Sequence, residues 1–232
     1  MILVDEIFGP TIQGEGATIG VPTVFVRTGG CDYRCVWCDT LHAVLPKYKS
    51  NWKKMTPREI IDQVNDLAEG PILITLSGGN PALQPLEELI ALGHSYGHTF
   101  TMETQASKAK PWFRMLDAIT LSPKPPSSGH DPDWNGLQNC LDAIAYTAVK
   151  PSIKVVVFDD DDYQFAREVH KRHPDIPFYL SVGNHDPKGE ADTSALLSRM
   201  EWLIEKAISD QWYEATILPQ LHVLIWGNKR GV

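Results

Sequence analysis

The sequence predicts an α/β fold of the incomplete (β/α)6-barrel type, and three observations lead there. Short apolar runs rich in β-branched residues alternate with amphipathic helical stretches, which favours parallel strands joined by right-handed crossovers. Glycine, proline and polar residues collect just after those runs, at the strand ends where barrel enzymes gather ligands. The 232 residues accommodate about six such units, fewer than the eight of a closed barrel. An open doubly wound sheet would leave a similar pattern. No linker or repeat interrupts the chain, so residues 1–232 are expected to form a single domain.

Residues 23–28 (TVFVRT) read as a strand ending before Gly29-Gly30. Residues 41–54 hold Lys47, Tyr48, Lys49, Trp52, Lys53 and Lys54 without an acidic residue, as in a basic loop over a site or a solvated connection. Thr56 is placed to cap a helix, with Pro57 at its first position and Glu59 three residues on. Ile60, Ile61, Val64 and Leu67 then share one face, and Gly70 ends the pattern. Strands are expected at 72–76, 99–103, 118–121, 153–158 and 178–182, and helices at 83–92, 112–116, 137–146, 162–172 and 193–208. Residues 217–226 form the last element.

Lys and Arg number 21 against 29 Asp and Glu, a formal charge of −8, so no basic field is available to hold a long nucleic acid. The N-terminal MILVDEIFGP lacks the cationic and apolar regions of a signal peptide. No apolar run approaches the roughly 20 residues that span a bilayer. A cytoplasmic protein without a membrane partner is expected.

Three of the four cysteines fall in one loop, Gly29-Gly30-Cys31-Asp32-Tyr33-Arg34-Cys35-Val36-Trp37-Cys38-Asp39-Thr40, with C-x3-C-x2-C spacing. Thiolates ligate soft metal centres and iron–sulfur clusters. Three of them hold three corners of a 4Fe–4S cube and leave the fourth iron open for chemistry. A structural zinc site would need a fourth ligand, which Cys140 or a histidine would have to supply from a distance. Three buried cysteines acting as small apolar side chains are the remaining alternative. The cysteine spacing is the most specific local signal in the chain.

This loop resembles the radical SAM superfamily, in which the open iron chelates S-adenosylmethionine (SAM) and an aromatic residue, here Trp37, often precedes the third cysteine. The resemblance implies a radical SAM barrel and reductive cleavage of SAM to a 5′-deoxyadenosyl radical. Ser77-Gly78-Gly79-Asn80-Pro81 resembles the superfamily's GGE-type segment, with Asn80 where glutamate is common.

Along nearly the whole chain the segments EIFGPTIQGEG, FVRTGGCDYRCVWCDT, SGGNPAL, METQ, LSPKPPSS, KVVVF and LPQLHVLIWGNKRGV resemble the 7-carboxy-7-deazaguanine synthase family. That resemblance implies a radical ring contraction of 6-carboxy-5,6,7,8-tetrahydropterin to 7-carboxy-7-deazaguanine with loss of ammonia, in 7-deazapurine (queuosine) biosynthesis. It implies a 4Fe–4S cluster on Cys31, Cys35 and Cys38, and Mg²⁺ held with the help of Thr40. SAM would lie against Trp37, Cys38, Asp39, Gly79, Glu103, Ser122, Pro123 and Lys124. The pterin would contact Ile12, Gln13, Gly14, Glu15, Arg27, Ser77 and His222. No separate catalytic acid or base is implied. A homodimer and an electron donor such as flavodoxin are the expected partners. Ser181-Val182-Gly183-Asn184 departs from the glutamine-proline pair of relatives, and the tail to Val232 is longer than in some.

Overall fold

The structure, a computed structural model, describes residues 1–187 and 189–232. Among the described residues one sheet contains β1 (Ile2–Ile12), β2 (Pro22–Thr28), β3 (Lys53–Met55), β4 (Leu73–Gly78), β5 (Thr99–Thr104), β6 (Ala118–Leu121), β7 (Lys150–Val157), β8 (Phe178–Val182) and β9 (Ala215–Leu218). Its order is β3-β1-β2-β4-β5-β6-β7-β8-β9. Every pairing from β2 to β9 is parallel, and β1 pairs with β2 and β3 antiparallel. The sheet does not close, which is the incomplete barrel expected.

The helices are α1 (Leu41–Val44), α2 (Pro57–Leu67), α3 (Glu87–Ser95), α4 (Trp134–Ile144), α5 (Asp160–Arg172), α6 (Thr193–Ser209) and α7 (Leu221–Trp226). Parallel strands covered on both faces need near-continuous apolar runs. In β7 every residue from Ser152 to Val157 is buried. On α2 the Thr56 hydroxyl accepts from the Glu59 amide at 3.2 Å, while Glu59 accepts from the Thr56 amide at 2.7 Å. Ile60, Ile61 and Val64 of that helix join Phe100 and Phe113 in the core.

Several elements differ from expectation for local reasons. The helix expected at 83–92 begins instead at Glu87, after a short 3-10 turn at Pro81–Leu83. Pro85 disfavours helical backbone at Gln84, which is extended at φ −100° and ψ 153°. The helix expected at 137–146 spans Trp134–Ile144, because the Asp133 carboxylate accepts from the Gly136 amide at 2.8 Å and starts it early. Residues 217–226 divide at Pro219 into β9 and α7. The basic segment 41–54 is no plain loop, since it forms α1, a 3-10 stretch at Pro46–Asn51 and the start of β3. β1 has no counterpart among the expected strands, because Gly9-Pro10 has the composition of a turn; the strand continues through it with a register shift between Phe8 and Thr11.

The Asp133 cap provides a stability test. Asp133→Ala should lower stability by about 1 kcal/mol, or roughly 2–4 °C in melting temperature, in thermal denaturation followed by circular dichroism. An unchanged melting curve would show that Asp133 does not set the start of α4.

Candidate active site

The carboxyl ends of β2, β4 and β5 and the loop after β6 surround one cleft of about 1140 Å³, open mouth included. The three cysteine side chains line it, together with Ile12, Gln13, Gly14, Glu15, Arg27, Trp37, Asp39, Thr40, Ser77, Gly79, Glu103, Lys124 and His222. Ser122 and Pro123 stand apart from this set. Both are buried, and the Ser122 hydroxyl accepts from Lys124 Nζ at 3.1 Å.

The cysteine loop has no regular structure and is held by its neighbours. Asn80 is fully buried, and its Nδ2 donates to Asp32 Oδ1 at 2.9 Å and to Ser107 Oγ at 3.1 Å. Gln105 Nε2 and Ser107 Oγ donate to the same Asp32 carboxylate at 2.6 and 2.7 Å. Asn80 Oδ1 accepts from Thr104 Oγ1 and the Ala82 amide. This answers why asparagine stands here: a glutamate would set a second carboxylate against Asp32. Backbone bonds from Asn80 to Gly30 O at 2.8 Å and from Gly30 to Ala43 O at 2.7 Å complete the attachment. Gly79 is required at this crossing, because a Cβ there would lie 2.1 Å from Gly30 O.

The thiols are half-buried, and burial pushes each pKa upward, to about 11 for Cys35. The free thiols therefore keep their protons near neutral pH, and thiolate ligation by a metal releases them. Cys31 Sγ accepts from the Tyr33 amide at 3.3 Å and Gln105 Nε2 at 3.5 Å, contacts that favour negative charge on sulfur. Cys140 sits on α4 in the core, fully buried, and is no partner to the loop. His130 touches the loop, but its Nε2 accepts from the Arg34 amide at 2.9 Å. The donor set thus fits a three-thiolate cluster better than a four-ligand zinc site.

The other wall begins at the end of β1. Gly14 passes so close to α7 that a Cβ would lie 2.2 Å from His222 Nδ1. Gln13 is buried, with its Oε1 accepting from the Glu15 amide at 3.3 Å. Lys154 of β7, only 1% exposed, is ion-paired to Glu15 Oε2 and, at 2.7 Å, to Glu103 Oε1. Gln220 Nε2 donates to Glu15 Oε1 at 2.6 Å. Burial alone would raise the Glu15 pKa; Lys154, His222 and the hydrogen bonds outweigh it and hold it at about 2. Burial likewise opposes the Lys154 charge, and the two glutamates raise its pKa nonetheless.

Arg27 donates through Nε to Glu6 at 2.8 Å and lies 5.5 Å over the Phe8 ring. That bond occupies one of five guanidinium N–H groups. Trp37 donates from Nε1 to Ser127 Oγ at 3.0 Å and packs on Phe158, with Lys124 Nζ 5.7 Å from its ring. Thr40 Oγ1 is 3.8 Å from Cys38 Sγ and lines the cleft. Ser77 Oγ is buried without a hydrogen-bond partner among the described residues, a polar atom ready for a ligand. Asn184 donates to Asn228 Oδ1 at 2.8 Å, and Val232 reaches the cleft, while Arg230 binds Asp5 and Glu6.

Lys154, Gln220 and Gln105 lie in segments that carry the resemblance, KVVVF, LPQLHVLIWGNKRGV and METQ, and Gln105 at a strand end expected to collect ligands. The sequence alone assigns none of them a role, nor does it show the Asp32 network. One signal was present for the first: a lone lysine inside the apolar run of a strand covered on both faces.

A model described as the Radical SAM superfamily matches residues 25–120. A Bacillus cereus protein named 7-carboxy-7-deazaguanine synthase is 45% identical over 98% of this chain and 97% of its own. The chain belongs to the 7-carboxy-7-deazaguanine synthase family. A Bacillus subtilis protein of the same name is 44% identical over 98% of this chain and 97% of its own. The crystal structure of QueE from Escherichia coli superposes with a TM-score of 0.64 at 20% identity, covering 93% of each chain, a likeness of fold.

Two sets of variants test the site of this family member. Alanine at Cys31, Cys35 or Cys38 should abolish cluster absorbance after anaerobic reconstitution, whereas Cys140→Ala should retain it. Asn80→Asp keeps the acceptor but loses both donors, at a cost on the order of 1.5–3 kcal/mol for a bond to a charged group. Its cluster content should fall, measured as iron and sulfide per chain; parental content would refute the anchoring role.

Proposed function

We propose that this chain converts 6-carboxy-5,6,7,8-tetrahydropterin to 7-carboxy-7-deazaguanine with loss of ammonia, as a radical SAM carbon–nitrogen lyase of 7-deazapurine biosynthesis. One observation carries the proposal beyond family membership. A single cleft joins three thiols on one loop to an amide, a carboxylate and a guanidinium suited to a carboxylated heterocycle. Cys31, Cys35 and Cys38 would hold a 4Fe–4S cluster, which would supply the one-electron chemistry for reductive cleavage of SAM and hydrogen-atom abstraction from the substrate.

The chain's own residues bind, orient and exclude water. Cys31, Cys35 and Cys38 hold the cluster. Trp37, Cys38, Asp39, Gly79, Glu103 and Lys124 border SAM, with Ser122 and Pro123 shaping the loop that carries Lys124. Gln13 and Glu15 read the pterin's amino-pyrimidinone edge, beside Ile12, Gly14, Ser77 and His222. Arg27 takes the substrate carboxylate, a charge-assisted pairing whose planar geometry lysine does not reproduce. Thr40 offers a neutral oxygen to Mg²⁺, which favours oxygen ligands and keeps several positions for water or substrate.

Flavodoxin or a similar protein is the proposed electron source, a homodimer the proposed assembly and the cytoplasm the proposed location. Among the described residues no helix is long and apolar enough to cross a membrane.

Anaerobic enzyme with SAM, dithionite, Mg²⁺ and the carboxytetrahydropterin should yield a deazapurine carboxylate by mass spectrometry, with one ammonia per product. SAM cleavage without any deazapurine would refute the substrate. Thr40→Ala should raise the Mg²⁺ needed for half-maximal rate while sparing the cluster; an unaltered Mg²⁺ curve would remove Thr40 as a ligand. Arg27→Lys should lower kcat/KM by about 10- to 100-fold, the equivalent of one hydrogen bond to a charged group. Parental kinetics in that variant would exclude the carboxylate contact.

A further inference from the structure

Lys154 opens the KVVVF segment, to which the resemblance assigns no role, yet its charge is almost wholly enclosed behind the cleft wall. It is 1% exposed and lies between Glu15 from the end of β1 and Glu103 from β5. Two carboxylates sharing one ammonium leave a net negative trio. Glu15 uses one oxygen for Lys154 and the other for Gln220 Nε2. Each carboxylate oxygen has two acceptor positions, so both keep one for a ligand. A carboxylate held in this way presents two parallel acceptors and no donor.

We propose that Lys154 is a positioning residue for substrate selectivity: by fixing Glu15 as a doubly anchored acceptor, it selects heterocycles that offer two adjacent N–H donors. This rests on the pterin substrate proposed above and adds the group that enforces its 2-amino edge. A 2-oxo analogue turns a carbonyl oxygen toward Glu15 and meets repulsion there. Without the ammonium, Glu15 and Glu103 would share a buried site as two uncompensated carboxylates. Burial and mutual repulsion would then favour a proton on one of them. A protonated Glu15 would display a hydroxyl donor and tolerate the oxo analogue. The depressed Glu15 pKa in the intact trio agrees with this assignment.

The charged and titratable groups facing Glu15 are Lys154 from β7, His222 from α7 and, through Lys154, Glu103 from β5. Arg27 and Lys124 stand on other walls of the same cleft.

The test uses anaerobic, cluster-loaded enzyme with SAM, titrated with 6-carboxypterin and with 6-carboxylumazine, its 2-oxo analogue, between pH 5 and 7.5. The parent should prefer the amino compound by about 10- to 100-fold, the range expected for a hydrogen bond to a charged group. Its affinity for that compound should show no acid limb. Lys154→Met should lose most of the preference and bind the amino compound progressively less well as pH falls. Lys154→Arg, which keeps the charge, should restore part of the preference. A merely structural lysine would alter affinity for both compounds alike and leave their ratio and the pH profile unchanged, which would overturn the proposal. Cluster absorbance reports whether each variant is intact. Should Lys154→Met fail to load its cluster, the parent still decides: equal affinity for the two compounds, or an acid limb persisting in His222→Asn, overturns it. Normal carboxytetrahydropterin turnover with an unchanged ratio in Lys154→Met defeats this inference alone. Absence of both turnover and pterin binding in the parent defeats the substrate assignment and this inference with it.

Discussion

The Asp32 carboxylate holds the cysteine loop to the ends of two adjacent strands, and the cleft depends on that attachment. The loop lies between β2 and α1, with no ladder of its own to fix it. Asn80, Gln105 and Ser107 converge on Asp32 from the segments that follow β4 and β5. Asp32 itself is exposed, but each of these hydrogen bonds has a charged acceptor and two come from buried amides, which makes them stronger than neutral pairs. Three thiols separated by short spacers form one ligand set only if the intervening backbone keeps its shape. The asparagine after the glycine pair is therefore a matched part of the loop, since its donors complement an aspartate that glutamate would repel.

The protein carries net negative charge while its proposed substrate and SAM both bear carboxylates. Local cations reconcile the two. Arg27 and Lys124 reach the cleft from the strand and loop that frame it. Lys154 acts differently, because its charge is already committed to two glutamates. Removing one partner of a buried pair leaves an uncompensated charge, at a cost on the order of 3–5 kcal/mol. Retaining such a group is easier to understand if the arrangement of its carboxylates matters to a ligand.

Much of this architecture was legible because periodicity and capping agree locally. The Thr56–Glu59 capping box and the β-branched run of β7 are both visible in the sequence, and β8 spans the residues expected. Boundaries failed where a single proline outweighed a longer pattern, as at Pro85 and Pro219. β1 failed for the opposite reason: Gly9-Pro10 looks like a turn, and only pairing with β2 and β3 makes it part of a strand. At the site, the cysteine spacing was self-announcing because all ligands lie in one loop. The Asp32 and Lys154 networks join residues far apart in the chain, and no local period carries that information. A lysine in an apolar strand marks a buried charge, but its partners emerge only from the fold.

An incomplete barrel must solve one further problem, since its edge strands do not meet. The gap is crossed without strand pairing. The Leu221 amide donates to Gly14 O at 3.0 Å, and Gln220 donates to Glu15, linking the start of the last helix to the end of the first strand. Gly14 permits the approach by lacking a side chain where His222 sits. Lys154 then crosses the interior from β7 to Glu15 on this same segment. The residues proposed to read the pterin edge are thus also those that seal the open side of the sheet. That double duty explains why the segment is rich in glycine yet firmly hydrogen-bonded. It has to pass close to a helix, turn a carboxylate inward and accept a buried lysine within a few residues.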